Sequence, residues 1–537
     1  MKYTDQTVYC TGWTVYNWDM AMTLETPTSG PLKGPARAGV RAWVALAVLM
    51  LPVLLVAVDN TVLSFAIPSI SLALTPSATE LLWIIDIYPL VLAALLVPMG
   101  SLADRFGRRR MLLLGSTGFA IVSVIAAFAP SATALIGYRA LLGIFGAMLM
   151  PSTLSLIRNL FPHADQRRRA IAIWAACFSG GAALGPIVGG FLLEHFWWGA
   201  VFLLAVPVLI PLLILAPIFV PASKDPNPGK VDPLSILLSF GAMLPLIFGI
   251  KEIAQTGLTP VNVVLMVLGL ALGTVFVRRQ LARKDPMLDV RLFTNPVFSG
   301  GVVANLLSVF SLVGFLYFVT QHLQLVVGLS PSTAALVLVP GLVISIVTGL
   351  LAASLAKWIR PAWLISGGLL LNAIGFLTVW LNTDGSVAGI ILAFVILGAG
   401  VGIAETISND LILSAAPPAK AGAASAISET AYEVGSVLGT AVLGSILAAA
   451  YRVNVVIPAG ISAADQHTAG QTLGGAIDVA NKMPAEQGSA LLESAKHAFD
   501  SGSGTVAMVG VVLMLAAAVM CLRALRSAKV NPEPVDH

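Results

Sequence analysis

Apolar runs of membrane-crossing length recur along the chain, separated by short polar breaks that hold most of the charges. They begin near Val44, Leu81, Met111, Ala134, Ala170, Ala200, Leu234, Val261, Gly300, Ala334, Trp363, Val387, Gly422 and Thr505. Three segments read as non-membranous: the start to about Ala42, Tyr451 to Gly504, and the tail after about Ser527. A spanning helix needs about 20 residues, so the roughly 430 remaining residues hold about fourteen spans with about ten more per connection. The pattern predicts an all-helical integral membrane protein.

The polar breaks alternate in charge. One set contains Arg105, Arg108, Arg109 and Arg110; Arg167, Arg168 and Arg169; Lys224 and Lys230; Arg278, Arg279, Arg283 and Lys284; Lys357 and Arg360; and Lys420. The other set contains almost no basic residues, and TPSATE, APSAT and NTDGS have none. Lys and Arg concentrate in cytoplasmic loops, so the alternation predicts an even number of spans with both termini inside. Segment 451–503 then falls outside. Its mixed charge and small residues suggest a solvated hairpin or lid, in which SALLESAKHAFDSG forms an amphipathic helix.

Composition agrees with this reading. Of 537 residues 57% are apolar and 10% charged, against about 25% charged in soluble domains, and the mean hydropathy is +0.91. Too few polar side chains exist to cover a water-facing surface, which excludes a soluble enzyme. The net charge of +4 sits in short loops, where it sets orientation rather than binding nucleic acid. Cys10, Cys177 and Cys521 are scattered, so no disulfide framework or metal cluster is expected. No nucleotide-binding GxxxxGK[ST] loop is present. The first 22 residues lack the apolar core of a signal peptide, and Met20 or Met22 is an alternative start.

Several loop and helix motifs add chemistry. Gly100-Ser-Leu-Ala-Asp-Arg-Phe-Gly-Arg-Arg-Arg-Met-Leu112 spaces Gly100, Asp104, Arg105, Gly107 and Arg108 between the second and third runs. The glycines permit a tight turn, while Asp104 can cap the next element or pair with basic residues across a bundle. ASLAKWIRPAWLI at 353–365 partly repeats it, which suggests a two-bundle build. Gly181, Gly185 and Gly189 recur every four residues beside Pro186 and Gly190, giving one smooth face and a permitted kink.

These segments resemble the major facilitator superfamily. The 100–112 loop matches its signature, G-x-L-a-D-r-x-G-r-k-x-x-l, and LIGYRALLGIFGA, with Arg139, resembles its fourth-helix motif except for Leu142. Gly181 to Gly190 resembles the antiporter motif, and VDNTVLSFAIP the first-helix motif of fourteen-span drug:proton antiporters. WWGAVFLLAVP keeps the frame of their sixth span but has Ala205 where Asn is common. The overall likeness is to the quaternary-ammonium and dye exporters of that group, nearest to a mycobacterial type. It implies a fold of two six-helix bundles plus two inserted helices. The boundaries expected are 1–42, a cytoplasmic segment; 43–221, the first bundle; 222–285, the inserted pair; 286–526, the second bundle with its extracellular loop 451–503; and 527–537, a cytoplasmic tail.

An acid inside an apolar span costs about 2.5 to 3.5 kcal/mol on insertion scales and is usually functional. Asp59 and Asp86 lie equally far from the first outer loop, hence at similar depth, and could face one cavity with Trp83 one turn from Asp86. The same arithmetic pairs Glu405 with Glu433 and Asp410 with Glu429, and puts Glu429, Tyr432 and Glu433 on one face. Each has a plainer alternative: Asp59 in helix packing, Asp86 solvated near the outer face, Glu429 and Glu433 favouring a helix dipole. Arg139 needs an acid or carbonyls as partners, whether it relays protons or staples helices. Lys251 and Glu252 read as a self-neutralising pair at a span end.

A lipophilic cation requires a counter-charge and aromatic faces, the latter contributing about 0.5 to 2 kcal/mol. The resemblance implies a proton-coupled multidrug antiporter of the plasma membrane, exporting quaternary ammonium compounds and ethidium-like dyes in exchange for protons. Asp59 and Glu429 would take protons when facing out and cations when facing in. The partners expected are lipophilic cations, protons and the bilayer, with a monomer, no cofactor and no metal. The ninth run, ANLLSVFSLVGFLYFVTQHLQ, has no acid, so monovalent cations are expected to be preferred. Export of an endogenous lipid or metabolite is the alternative, and a non-transporting membrane sensor a weaker one.

Overall fold

The computed structural model describes residues 38–224, 232–283, 286–382, 385–416, 421–458 and 461–526. Cys10, Met20, Met22, Lys230, Lys284, Lys420 and the tail after Arg526 lie outside the described residues, as does the side chain of Arg168. Among the described residues, 14 helices are long and apolar enough to cross a membrane. In order they are Val40–Leu74, Ala78–Phe106, Arg108–Ala127, Ala132–Leu160, Ala164–His195, Ala200–Phe219, Pro233–Thr256, Pro260–Ala282, Pro296–Val326, Pro331–Leu355, Pro361–Leu381, Val387–Ser414, Ala421–Asn454 and Ala485–Ala524. They are called spans one to fourteen below.

Most spans start a few residues before their apolar runs because polar caps precede them. Ser77 and Glu80 form a reciprocal capping box at span two, and Ser131 caps span four. Spans seven to eleven begin with Pro at the first position, where its missing N–H leaves nothing unsatisfied.

Spans one to six pack mainly on one another, as do spans nine to fourteen. The two sets meet where span two touches thirteen, span five touches ten and span one touches nine. Spans seven and eight pair together, and span seven leans on span two and the end of span thirteen. Protein buries 83% of the most apolar stretch of span two but only 17% and 11% for spans seven and eight. The pair therefore lies at the rim, its Leu237, Val264 and Leu270 left exposed for lipid.

At one end of the pair Asp232 caps span seven and accepts from Arg279 at 3.0 Å, with Arg283 at 2.9 Å. Burial alone would raise the Asp232 carboxyl, but hydrogen bonds from Arg279 and Ser235 outweigh it and hold the group at about 2.

The segment 451–503 is not a solvated hairpin. Span thirteen continues to Asn454, and helices Ala463–Gln471 and Leu473–Ala480 follow. SALLESAKHAFDSG is part of the 40-residue helix of span fourteen. Leu473, Ala476, Val479, Leu491 and Phe499 are buried, and the Tyr451 hydroxyl donates to the Ala469 carbonyl at 3.0 Å. Their apolar faces bury against the bundle, with Gly474 set close to Ser71 of span one. The result is a packed cap.

Candidate translocation site

Three spans of the first half bring buried charge together, and span seven of the inserted pair adds to it. Asp59, midway along span one, lies 3.2 Å from Arg139 of span four, both nearly inaccessible. Pro89 has no N–H, so the carbonyl of Ile85 lacks its intrahelical donor. Arg139 supplies one, donating to Ile85 O at 3.4 Å and Ile84 O at 3.0 Å. Its guanidinium also lies 4.8 Å from the centre of the Tyr88 ring. Arg139 thus ties spans one, two and four together, with both kinds of partner its position demanded.

Asp86 takes a different partner from Asp59. It is fully buried and its Oδ2 sits 2.9 Å from Lys251 Nζ of span seven. That corrects the reading of Lys251 and Glu252 as a self-neutralising pair: Lys251 points into the core, reaches the Leu82 carbonyl at 3.1 Å and lies 3.9 Å from the centre of the Trp83 ring. The physical reason is that a lysine's stem can cross apolar packing while its head finds a carboxylate.

The second half arranges its acids otherwise. Glu429, Tyr432 and Glu433 do share a face of span thirteen, and Glu433 Oε1 accepts from Asn60 of span one at 3.3 Å. Glu429 Oε1 and Glu433 Oε2 are buried with no hydrogen-bond partner among the described residues. Glu405 of span twelve is half-buried. Asp410 is exposed, so a shared depth does not bring it to the buried side of Glu429. Depth along two helices fixes height but not azimuth.

A cavity of about 420 Å³ runs from Asp104 and Arg108, past Gly100 and Pro151, to Trp174 and Glu429. It opens at the end of the molecule carrying the 100–112 loop and lies between spans two, four, five and thirteen. Trp174 stacks on Phe178 at 6.2 Å, and Phe178 meets Tyr432 edge-on at 5.8 Å. Trp174 Nε1 donates to Thr153 Oγ1 at 3.3 Å, which fixes the indole. An aromatic wall from the first half therefore stands beside the unpaired carboxylate of the second. Sequence reasoning missed Trp174, Phe178 and Asn60, although Trp174 and Phe178 are one turn apart just before the glycine stripe.

That stripe sets the packing of spans one and five. A Cβ at Gly181 would meet Ala57 at 2.8 Å, one at Gly189 would meet Val62 at 2.6 Å, and one at Gly185 would overlap the Thr61 hydroxyl. The stripe therefore seats span five against the turn that carries Asp59. Gly190 faces the other half, where a Cβ would come within 2.9 Å of Ser332 in span ten. Pro186 lies inside the same helix.

In the 100–112 loop, Gly107 has φ +108°, a conformation that favours glycine. Asp104 pairs at 2.8 Å with Arg108, four residues on. Arg108 N donates to Ser223 O at 2.9 Å, and Arg109 to Val220 O at 3.0 Å. Arg105 is exposed. The loop thus clasps the segment after span six while the cavity beside it stays open.

Membrane-crossing helices in two mutually packed sets beside a cavity with charged groups at its mouth form the architecture of a membrane transporter. The model of the Major Facilitator Superfamily matches residues 49–440, and the chain belongs to that superfamily. It is 56% identical over 485 residues to the multidrug efflux pump LfrA of Mycolicibacterium smegmatis, covering 90% of this chain and 96% of that one. It is 38% identical to the methyl viologen resistance protein SmvA of Salmonella typhimurium, over 89% of this chain and 98% of that one. It is 33% identical to the tetracenomycin C resistance and export protein of Streptomyces glaucescens, over 95% and 94%. Among solved structures, a bacterial homologue of the lysosomal transporter Spinster superposes with TM-score 0.65 at 18% identity, over 92% of this chain and all of that one. That likeness concerns the fold alone.

Proposed function

We propose that this chain exports lipophilic cations, quaternary ammonium compounds and ethidium-like dyes among them, in exchange for protons. The observation that carries the reading is Glu429 at the head of a one-ended cavity: a carboxylate without an internal cation, beside the aromatic wall of Trp174, Phe178 and Tyr432. Such a group holds either a proton or an organic cation, and the exchange of one for the other is antiport. The efflux relatives support the same reading.

The cavity end is assigned to the cytoplasm, with both termini there and residues 43–221 and 286–526 rocking about the site while 222–285 rides at the rim. Opening at the opposite end exposes Glu429 to external protons, which displace the cation. Asp59 serves with Glu429 in this cycle, its proton traffic passing through Arg139. Glu433, linked to Asn60 across the two halves, senses their separation. Asp104, Arg105 and Arg108, with Gly100 and Gly107, form the gate at the cytoplasmic end, and the unit working in the plasma membrane is a monomer.

Each pH unit contributes about 1.4 kcal/mol to such exchange, and each charge moved through 100 mV about 2.3 kcal/mol. The test is ethidium movement in reconstituted vesicles under an imposed pH gradient, with Asp59→Asn and Glu429→Gln beside the unsubstituted protein. Gradient-driven transport that either change abolishes supports the assignment. Inserted protein that moves no lipophilic cation refutes it and turns attention to an endogenous lipid or metabolite. Ethidium and methyl viologen with equal affinities would refute the preference for monovalent cations.

A further inference from the structure

Lys251 is out of keeping with the helix that carries it. Span seven lies at the rim with 17% of its most apolar stretch buried, yet its Lys251 side chain is 0% exposed. The stem turns inward against span two, where Nζ finds three partners: Asp86 Oδ2 at 2.9 Å, Leu82 O at 3.1 Å and the Trp83 ring at 3.9 Å. Phe248 of the same span lies 6.2 Å from Trp83 and adds a second ring to this site. A counter-charge, a carbonyl dipole and an aromatic face are the groups that select an organic ammonium.

As a fastening alone the arrangement is a poor choice. Desolvating both ions offsets most of their attraction, so apolar residues of similar volume would hold a rim helix at least as well. Against the same place, span thirteen interrupts its α-helix with a π-helical stretch, Thr440–Gly444, whose Gly444 sits close to Leu82 and Tyr317. Such stretches often mark functional sites. Between Trp83 and Asp86, the carbonyls of Ile84 and Ile85 accept from Arg139, so these groups adjoin the Asp59 pair.

We propose that Trp83, Asp86 and the Leu82 carbonyl form a second cation subsite, filled in this state by the Lys251 ammonium as a tethered competitor. A monovalent lipophilic ammonium takes the place of Lys251 when it moves beyond Glu429 toward the opposite end, and span seven swings aside. The inserted pair is thereby coupled to transport. The inference rests on the export reading for its ligand, but not for its readout.

The experiment measures ethidium fluorescence on full-length protein in lipid nanodiscs, comparing the unsubstituted chain, Lys251→Met, Lys251→Gln, Lys251→Met with Asp86→Asn, and Glu429→Gln. Removing the competitor is expected to tighten binding about fivefold or add a second site, the size expected from one cation–aromatic contact with its counter-charge. Adding Asp86→Asn should abolish that gain. If Lys251→Met fails to insert, Lys251→Gln and the doubly neutral variant carry the comparison. Equal binding in the charged-acid and neutral-acid variants, with a lowered melting temperature alone, means a fastening and overturns the proposal. Binding untouched by Glu429→Gln would instead overturn the export site, while an Asp86-dependent gain in Lys251→Met would still stand.

Discussion

The first six spans and the last six both bury acids, yet they treat them in opposite ways. Asp59 is matched by Arg139 at 3.2 Å and Asp86 by Lys251 at 2.9 Å. Glu429 and Glu433 have no ion-pair partner among the described residues, and each keeps one buried oxygen without a hydrogen bond. A matched pair fixes helices and is unavailable to a ligand; an unmatched carboxylate is where a positive ligand gains most. In this state internal cations occupy the first half's acids, and the proposed export site therefore draws on those of the second.

The largest test breaks the matched side. Arg139→Met leaves Asp59 buried without a cation, and such a loss costs about 3 to 5 kcal/mol. Denaturation in detergent micelles should show it, with much of the loss recovered when Asp59→Asn is added. Glu429→Gln, which removes a charge that has no partner, should leave stability unchanged or raised while transport fails. Equal destabilisation by Arg139→Met and Glu429→Gln would erase the contrast between the halves.

A smaller effect follows from the glycine stripe. Gly185→Val would drive a side chain into Thr61, two residues from Asp59, and overpacking of this kind costs about 1 to 3 kcal/mol. Because span one must shift to relieve it, the Asp59–Arg139 pair should loosen. Proton leak without drug in vesicles is the expected readout, and unchanged leak would mean that the stripe serves packing alone.

These two tests also divide what the chain could reveal by itself. Span number, the 100–112 turn and the glycine stripe were legible because each is local: apolar length, a left-handed glycine and a four-residue repeat need no knowledge of neighbours. Arg139 was legible in kind, since a mid-span guanidinium must find an acid and carbonyls. Lys251 was not, because whether a lysine near a helix end turns outward or inward depends on the helix beside it. Asp410 failed for a related reason: residues at one height can face opposite ways. Trp174 and Phe178 carried a usable signal, their one-turn spacing, but only the approach of span thirteen shows which carboxylate they serve.

That approach gives the third test. Trp174→Leu removes the aromatic wall from the first half while leaving Glu429 of the second in place. Cation–aromatic contacts contribute about 0.5 to 2 kcal/mol, so ethidium affinity should fall by about two- to thirtyfold with the fold intact. Tyr432→Leu should act alike, and the two losses should not add fully if one ligand bridges both. Full affinity in both variants would place the dye elsewhere and leave Glu429 without its aromatic partners.

The smallest effect concerns a matched acid outside the bilayer. Asp232 is buried, but its partners Arg279 and Arg283 are 29% and 35% exposed, so solvent screens much of their attraction. Asp232→Asn should therefore cost only about 1 kcal/mol, well below Arg139→Met. The pH dependence has a definite sign. With the folded carboxyl at about 2 and an unfolded value of about 3.9, its contribution is complete above about pH 4 and lost as pH falls through about 2. Melting temperatures of the unsubstituted protein and Asp232→Asn should differ by a constant amount from pH 7 down to pH 5, then converge on further acidification. A difference that instead closes between pH 7 and pH 5 would show that Asp232 is not held by its arginines.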